Sequence, residues 1–414
     1  MIAFGLRLRY SNAASSCRPS ADRTSSPSVH PMNHGLPRAG PCMYLVALIS
    51  IAIHSCYIGS KVVISLLALH YGAGQMIIGV IAALYALVPL LLGVYSGRLA
   101  DTIGMRVPLL IGASLVGLAM LVGGFGASLD ALFVTALLVG AGFVFFNVSI
   151  QNLTGTLGGP DQRVRNFSIL SIGYSISTFI GPMVAGFAID HVGHAMAFMV
   201  FAGFTLIPIV VLTTRPQLTQ AAPPRAKSTE ERRALDLLKL PAVRRLIITS
   251  GLIVAAWDLF AFYVPIYAHA LGHSASTIGI ILGSYAMAGF LPRFLMPTML
   301  RRWRGEQVLF VSMLLAAAGF VIFPLFREAY PLMVVAAIIG VGLGCGQPLS
   351  MMLSYERAPE GRTGEVTGLR LTANNLARVI VPVAAGSLGA ALGTSPVFWM
   401  NAANLVGISW LSRR

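Results

Sequence analysis

Few ionisable side chains stand inside the long apolar stretches of this sequence, and their types set the chemistry open to them. Asp258 can take up and release a proton. Lys61 and Arg378 can hold an anion. His54 and Lys61 are seven residues apart and share a helical face, with Tyr57 and Ile58 between them. Arg370, Asn374 and Arg378 form an i, i+4, i+8 stripe beside Asn375, and Ser171, Tyr174, Ser175 and Thr178 form another. Asn147, Gln151 and Gln347 add amides, while Tyr85 and Tyr285 occupy matching positions in two similar stretches. A charge at the middle of a bilayer costs about 2.5–3.5 kcal/mol on insertion scales, so these groups need partners or a wet cavity.

Asp258 has two readings. Burial favours its protonated form and a nearby cation its carboxylate, so a proton and an anionic solute held by Lys61 or Arg378 can compete through that balance. Alternatively, a fixed Lys61–Asp258 or Arg378–Asp258 pair only locks two parts of the fold together. His54 reads as a hydrogen-bonded neighbour before it reads as a second proton carrier. The hydroxyls from Ser171 to Thr178 suit either a cavity wall or bonds between helices.

The elements that carry these residues are apolar runs. The 414 residues are 56% hydrophobic and 10% charged, with a mean hydropathy of +0.78, whereas a soluble domain carries about 25% charged residues. Runs stand near 44–70, 75–97, 107–126, 130–153, 166–190 and 195–213. After a polar break they resume near 244–270, 275–298, 307–325, 330–354, 364–391 and 395–411. About 20 residues cross a bilayer, and lipid offers no water to free backbone groups, so the expectation is an all-α integral membrane protein with twelve transmembrane helices.

The loops alternate in charge. Arg98 and Arg106, Arg163 and Arg165, the 215–245 break, Arg301, Arg302 and Arg304, Arg357 and Arg362, and Arg413 and Arg414 lie on one side. The loops near Gly72, Ser128, His191, Gly272, Arg327 and Thr394 hold a single arginine between them. Positive loops stay inside, which predicts both termini in the cytoplasm of a cell bounded by this membrane, read as a bacterial plasma membrane. The formal charge of +15 therefore sets orientation and is not a nucleic-acid footprint. Cys17, Cys42, Cys56 and Cys345 have no metal or redox spacing.

Residues 1–42 hold Arg7, Arg9, Arg18, Arg23 and Arg38 against Asp22 and have no signal-peptide core; they read as a disordered basic tail, with Met32 or Met43 as alternative starts and an organelle transit peptide as the alternative. In the break at 214–243, Ser228 and Glu231 have capping-box spacing, which predicts a short amphipathic helix ending at Pro241. A plain linker is the alternative. Sliding the chain by 200 positions aligns Pro41 with Pro241, Gly72 with Gly272, Ile78-Gly79 with Ile278-Gly279, Tyr85-Ala86 with Tyr285-Ala286, Gly140 with Gly340, and Pro182 and Gly186 with Pro382 and Gly386. The repeat predicts two pseudo-symmetric six-helix bundles, at 43–213 and 244–414, joined by 214–243.

Between the second and third runs stands Gly97-Arg98-Leu99-Ala100-Asp101-Thr102-Ile103-Gly104-Met105-Arg106. It reads as a tight hinge, with Gly97 admitting a close backbone neighbour and Gly104 supplying positive φ. The stretch resembles the signature loop of the major facilitator superfamily, with Thr102 and Met105 where basic residues are usual. That resemblance implies six-helix halves with a solute site between them near mid-membrane. It also implies a gate in which Asp101 meets Arg98, Arg106 or the segment around Gly364; a hairpin that merely fixes topology accounts for the glycines equally. Gly181-Pro182-Met183-Val184-Ala185-Gly186 resembles the fifth-helix motif of proton-coupled exporters in that family, with Ser168 and Ser177 replacing upstream glycines. The fourth run lacks the arginine usual in its drug exporters; Ala136 stands near that place.

Other chemistry is not legible. No phosphate-cradling loop points to ATP, and no nucleophile elbow or paired carboxylates point to an enzyme. His191 with His194 and His269 with His273 have helical spacing, but only Asp190 accompanies them, so neither a metal site nor any cofactor is expected. The expectation is a monomeric secondary carrier in the lipid bilayer, moving a small-molecule substrate by alternating access, with protons and outward. Alternatives are a proton-coupled importer of an organic anion, a non-transporting receptor or assembly protein on the same scaffold, and a channel, although scattered unlike charges do not form a pore ring.

Overall fold

The computed structural model describes residues 39–126, 128–157, 162–219, 234–359 and 362–412. The tail before residue 39 and the Ser228–Glu231 capping box lie outside the described residues. The α-helices are α1 (Ala39–His70), α2 (Gln75–Ile103), α3 (Arg106–Phe125), α4 (Leu129–Thr156), α5 (Arg163–Thr214), α6 (Pro241–Ala270), α7 (Ala275–Leu300), α8 (Gly305–Ile322), α9 (Ala329–Gly344), α10 (Gly346–Arg357), α11 (Thr363–Leu392) and α12 (Ser395–Ser412). Short 3-10 turns at Pro216–Thr219, Ala234–Lys239 and Phe323–Leu325 complete the described elements, and no strand occurs among them. Ser128 and Ser274 cap α4 and α7 by accepting from Ala131 N and Thr277 N. Leu91, Phe125, Leu291, Phe294, Val311 and Leu325 are each more than half exposed and form a face suited to acyl chains.

Three boundaries differ from the sequence expectation, each for a local reason, and a fourth is reduced to a kink. The hinge at Gly97–Arg106 is mostly helix: nothing breaks α2 until Gly104, whose φ of 82° turns the chain, and Thr102 Oγ1 donates back to Arg98 O. The fifth and sixth runs are two helices that meet at a kink on Gly193, at φ 83° and ψ 169°, within the polar stretch Asp190-His191-Val192-Gly193-His194, and the single label α5 covers both. The tenth run divides at Cys345 into α9 and α10, where Pro348 has no N–H for the carbonyl four residues earlier. Finally, the linker's described part near the membrane is a six-residue 3-10 turn with Leu237 buried, and Pro241 opens α6. Ten described helices are long and apolar enough to cross a membrane, with α9 and α10 taken together. Reading α5 as two crossings and adding α12, which Asn401 and Asn404 make more polar, gives the twelve runs.

The 200-residue repeat recurs in backbone geometry. Gly72 and Gly272 both have positive φ, as do Gly193 and Gly393. Gly72 N donates to Leu69 O and Gly272 N to His269 O, both at 2.9 Å. Gly140 packs on the Tyr85 carbonyl and Gly340 on that of Tyr285. The halves, α1–α5 and α6–α12, meet through α2 on α11, α5 on α7 and α1 on α6.

On the side away from the arginine loops this seam is closed by a symmetric pair of backbone contacts. A Cβ at Gly79 would lie 2.5 Å from Pro382 O, and one at Gly279 would lie 2.6 Å from Pro182 O. Such approach needs glycine, and in lipid close packing is a main source of helix association. Gly186 lies against the Ala275 backbone, and Asp190 accepts from Ala275 N (3.0 Å) and Ser276 N (2.7 Å), capping α7 from the other half.

Candidate functional site

Asp258 sits between two cations at mid-depth. With a rise of about 1.5 Å per residue, Lys61, Asp258 and Arg378 stand about 14, 18 and 21 Å from the C-terminal ends of α1, α6 and α11, which lie away from the arginine loops. Lys61 Nζ donates to Asp258 Oδ1 at 3.1 Å, and Arg378 Nε to Asp258 Oδ2 at 2.6 Å. Lys61 belongs to one half and the other two residues to its partner half. The Lys61 and Asp258 side chains are 3% and 10% exposed, whereas Arg378 is 35% exposed, so the arginine is the open edge of the cluster. A buried pair of this kind needs both charges, since removing one strands the other in a medium of low polarity.

Aromatic rings surround the lysine. Its Nζ lies 4.5 Å from the Tyr57 ring centroid, 5.7 Å from that of Tyr85 and 5.3 Å from that of Phe262. Tyr57 stacks on Phe143 at 3.9 Å, and His54 lies 4.7 Å from Tyr174. Tyr174 Oη donates to Asn147 Oδ1 at 2.8 Å, which fixes α5 to α4 beside the cluster. On the other half Trp257 lies 4.6 Å from Tyr285.

Of the residues singled out by sequence, the fold therefore brings Lys61, Tyr57, Tyr85, Asp258 and Arg378 into one group, with His54, Asn147 and Tyr174 adjoining. The hydrogen bond expected at His54 is not made: its Nδ1 is buried with no hydrogen-bond partner among the described residues, because rings rather than polar groups flank it. Tyr85 and Tyr285 hold equivalent buried places but differ, since Tyr85 Oη donates to Ser60 Oγ and Tyr285 Oη is unpartnered among the described residues. Asn374 is tied to Ser250 Oγ, which also accepts from Arg370 Nη1. Thr178 turns its hydroxyl onto Tyr174 O of its own helix, Gln151 is exposed, and Gln347 Nε2 is buried without a hydrogen-bond partner among the described residues.

The hinge residues divide differently. Among the described residues Gly97 has no close backbone neighbour: a Cβ there would meet Val148 at 3.9 Å. Arg98 is exposed, and Arg106 Nε donates to Leu212 O at 3.1 Å, a cation at the end of α5. The gate contacts expected of the Asp101 side chain and of Gly364 lie outside the described residues. In the fifth-helix motif, Gly181 faces the α1 backbone at Ser55 and Gly59, Ala185 is buried, and Pro182 and Gly186 form the seam with α7.

Sequence reading missed Arg293. It lies in α7, toward the arginine side of the bundle, where Nη1 donates to Ser175 Oγ across the halves at 2.8 Å. The signal was present, a lone cation in an otherwise apolar run, and went unread beside the acid in α6. Trp257, Phe143 and Phe262 were also missed, since aromatic residues in apolar runs carry no distinguishing spacing. A separate surface cavity of about 710 Å³, lined by Trp303, Arg304, Glu306 and Arg357, shares no residue with the mid-depth cluster.

Comparison with known proteins follows the same architecture. The pattern of the Major Facilitator Superfamily matches residues 43–382. Multidrug resistance protein 1 of Bacillus subtilis (strain 168) is 21% identical over 320 residues, which covers 75% of this chain and 80% of that protein. Probable anion transporter 4, chloroplastic, of Arabidopsis thaliana is 24% identical over 406 residues, covering 89% and 76%. The crystal structure of a peptide transporter, POT, in complex with sulfate superposes with a TM-score of 0.73 at 14% identity, over 90% of this chain and 93% of that one.

Proposed function

The chain belongs to the major facilitator superfamily, a family of transporters, and from that premise we propose that it is a secondary active exporter of a small organic solute driven by protons. The observation that carries the reading is Asp258, which bridges the halves through Lys61 at 3.1 Å while held by Arg378 at 2.6 Å. A proton on Asp258 removes the charge that attracts Lys61, releases the two halves from one another and lets the solute site change sides. A proton moving inward through about 100 mV contributes about 2.3 kcal/mol from voltage alone.

The arginine loops face the cytoplasm of a bacterial cell, the closed seam at Gly79 and Gly279 faces outward, and one chain carries both halves, so it works as a monomer. Export is favoured by the fifth-helix Gly181-Pro182 motif and by the multidrug resistance relative. Import of an organic anion is the second reading, favoured by two cations on one acid and by the anion-transporter relative.

The test uses protein in liposomes that enclose a pH-sensitive dye. Organic anions and cations are added in turn under a proton gradient, and the dye reports the proton movement each one evokes. Asp258→Asn is expected to retain solute exchange between compartments of equal pH and to lose its dependence on the gradient. Unchanged dependence transfers the proton to another group.

A further inference from the structure

We propose that the surface cavity at the arginine-side end of the second half is a seat for a phospholipid with a net negative headgroup. The headgroup lies against Arg304 and Arg357, and an acyl chain runs along α8 from Val311. The seat is apart from the mid-depth cluster, so it is independent of which solute crosses and of what drives it.

The internal repeat shows that this cavity is a difference between the halves. A shift of 200 positions carries Arg106 to Glu306 and Leu212 to Ser412. In the first half the Arg106 side chain spans from the start of α3 to the end of α5, its Nε donating to Leu212 O at 3.1 Å. In the second half the matching residues, Glu306 and Ser412, both line the cavity of about 710 Å³. A carboxylate has no proton to give a carbonyl, so Glu306 cannot repeat the bond; it accepts from Arg357 Nη2 at 2.9 Å instead. The space left is of the size of clefts that hold small molecules, about 300–1,000 Å³.

Charge decides the headgroup. Arg304 and Arg357 line the cavity with one acid, Glu306, which leaves one positive charge in excess. Arg301 and Arg302, exposed in the same turn between α7 and α8, add to the field. Guanidinium groups pair with phosphate oxygens in charge-assisted bonds, and basic pockets between helices on the arginine side of a membrane suit anionic headgroups.

The apolar wall decides the rest. Trp303 is exposed at the turn, at the level where an indole meets headgroups. Val308, Phe310 and Val311 line the cavity further along α8, and Val311 stands about 10 Å along the helix from Arg304. Beyond it Leu315, Ala318 and Ile322 are exposed at helical spacing and continue the same face toward the middle of the membrane. Ser409 Oγ donates to Phe310 O at 3.4 Å and ties α12 to α8 beside the cavity. A free phosphate compound would use the arginines and leave the apolar wall facing water. A neutral lipid would cover the wall and leave the excess charge unanswered. An anionic phospholipid meets both.

The experiment is native mass spectrometry of the full chain, released from neutral detergent with equal amounts of dioleoyl phosphatidylglycerol and dioleoyl phosphatidylcholine. In the complex with one bound lipid, the anionic lipid is expected to exceed the zwitterionic one at least roughly tenfold. Arg304→Gln should cut that preference about fivefold. Arg215→Gln, which removes an exposed arginine from the same side of the other half, should leave it as it is. Val311→Trp keeps the charge and fills the cavity, and it should lower retention of the anionic lipid at least as much as Arg304→Gln does. Unfolding midpoints of the lipid-free variants separate a lost seat from lost folding. Equal retention of the two lipids overturns the proposal, as does an Arg215→Gln effect equal to that of Arg304→Gln, which would mean general surface charge. An unaltered Val311→Trp would place the lipid elsewhere. Displacement of the lipid by millimolar glycerol 1-phosphate would make the occupant a free phosphate compound and overturn the lipid reading too.

Discussion

Lys61→Gln isolates the bond between the halves with the least collateral damage. Replacing Asp258 would strand two cations, at about 3–5 kcal/mol for a broken buried pair, so its effect on gating has to be read beside its effect on stability. Replacing Lys61 leaves Asp258 with Arg378 at 2.6 Å, so no carboxylate is orphaned. What is lost is one hydrogen bond between charged groups at 3.1 Å, worth about 1.5–3 kcal/mol. If that bond exists only while the outer seam is closed, the open-to-closed ratio rises roughly 10- to 100-fold, since about 1.4 kcal/mol is tenfold. The reporter is Ser276→Cys, a near-isosteric change beside the Asp190 cap whose Oγ is buried in the closed seam. Among the described residues the native cysteines, Cys42, Cys56 and Cys345, are all buried, which keeps background low. The rate of modification by an impermeant maleimide from outside should rise by at least tenfold in Lys61→Gln. An unchanged rate would refute the idea that this ion pair holds the halves together, and Lys61 would then be a structural charge resting on Tyr57 and Tyr85.

Three further perturbations address the parts that frame the pair. Gly279→Ala places a methyl 2.6 Å from Pro182 O; overpacking of about 1–3 kcal/mol should open the outer seam and speed the same labelling, and unaltered labelling would mean that the seam yields without cost. Asp190→Ala removes the acceptor for Ala275 N and Ser276 N, a cap worth about 0.5–2 kcal/mol, and should lower the unfolding midpoint in detergent. Asp190→Asn, which keeps an acceptor oxygen, should recover part of the loss. Arg106→Ala severs the tie to Leu212 O, about 0.5–1.5 kcal/mol, and should destabilise the third and sixth crossings while leaving Ser276→Cys labelling as it is; faster labelling would give Arg106 a share in gating.

What was legible in the sequence was whatever depends on composition and register. Apolar runs demand helices because lipid offers no alternative partner to the backbone, and Gly72 with Gly272 marks a duplicated turn through backbone freedom alone. Asp258, Lys61 and Arg378 were legible for a related reason: a charge in an apolar run must be answered by another. Pairing was not legible, because nothing in a single sequence distinguishes Lys61 from Arg378 as the partner of Asp258, and the fold uses both. Arg293 shows the converse, a visible charge whose bonded partner among the described residues is a serine hydroxyl, Ser175, 118 positions away. Helix ends resisted reading where a single residue decides them. Gly193 alone supplies the kink in α5, and Pro348 breaks the tenth run through a missing N–H one turn away. Gly97 misled because a glycine states what it permits and not what uses the permission.

The sharing of Asp258 bears on how such a junction can open at all. A lone buried lysine–aspartate pair across two moving lobes would strand both charges on separation, and that penalty would hold the lobes shut. Here each lobe keeps a substitute for what it gives up. Asp258 retains Arg378 from its own half, and Lys61 retains the faces of Tyr57 and Tyr85 from its own half, at 4.5 and 5.7 Å, a contact worth about 0.5–2 kcal/mol. Separation therefore exchanges one bond for an unequal but partial replacement instead of leaving two bare ions. On the proposed mechanism, that residual cost is what a proton on Asp258 would have to offset. The same logic predicts an ordering. Asp258→Asn should weaken folding more than Lys61→Gln does, and the double variant Lys61→Gln with Asp258→Asn should fold better than Asp258→Asn alone, because one of the two stranded cations is gone. Unfolding midpoints in detergent read that ordering directly; a double variant no more stable than Asp258→Asn would mean that Lys61 was never stranded, and the partition of charge between the lobes would fail with it.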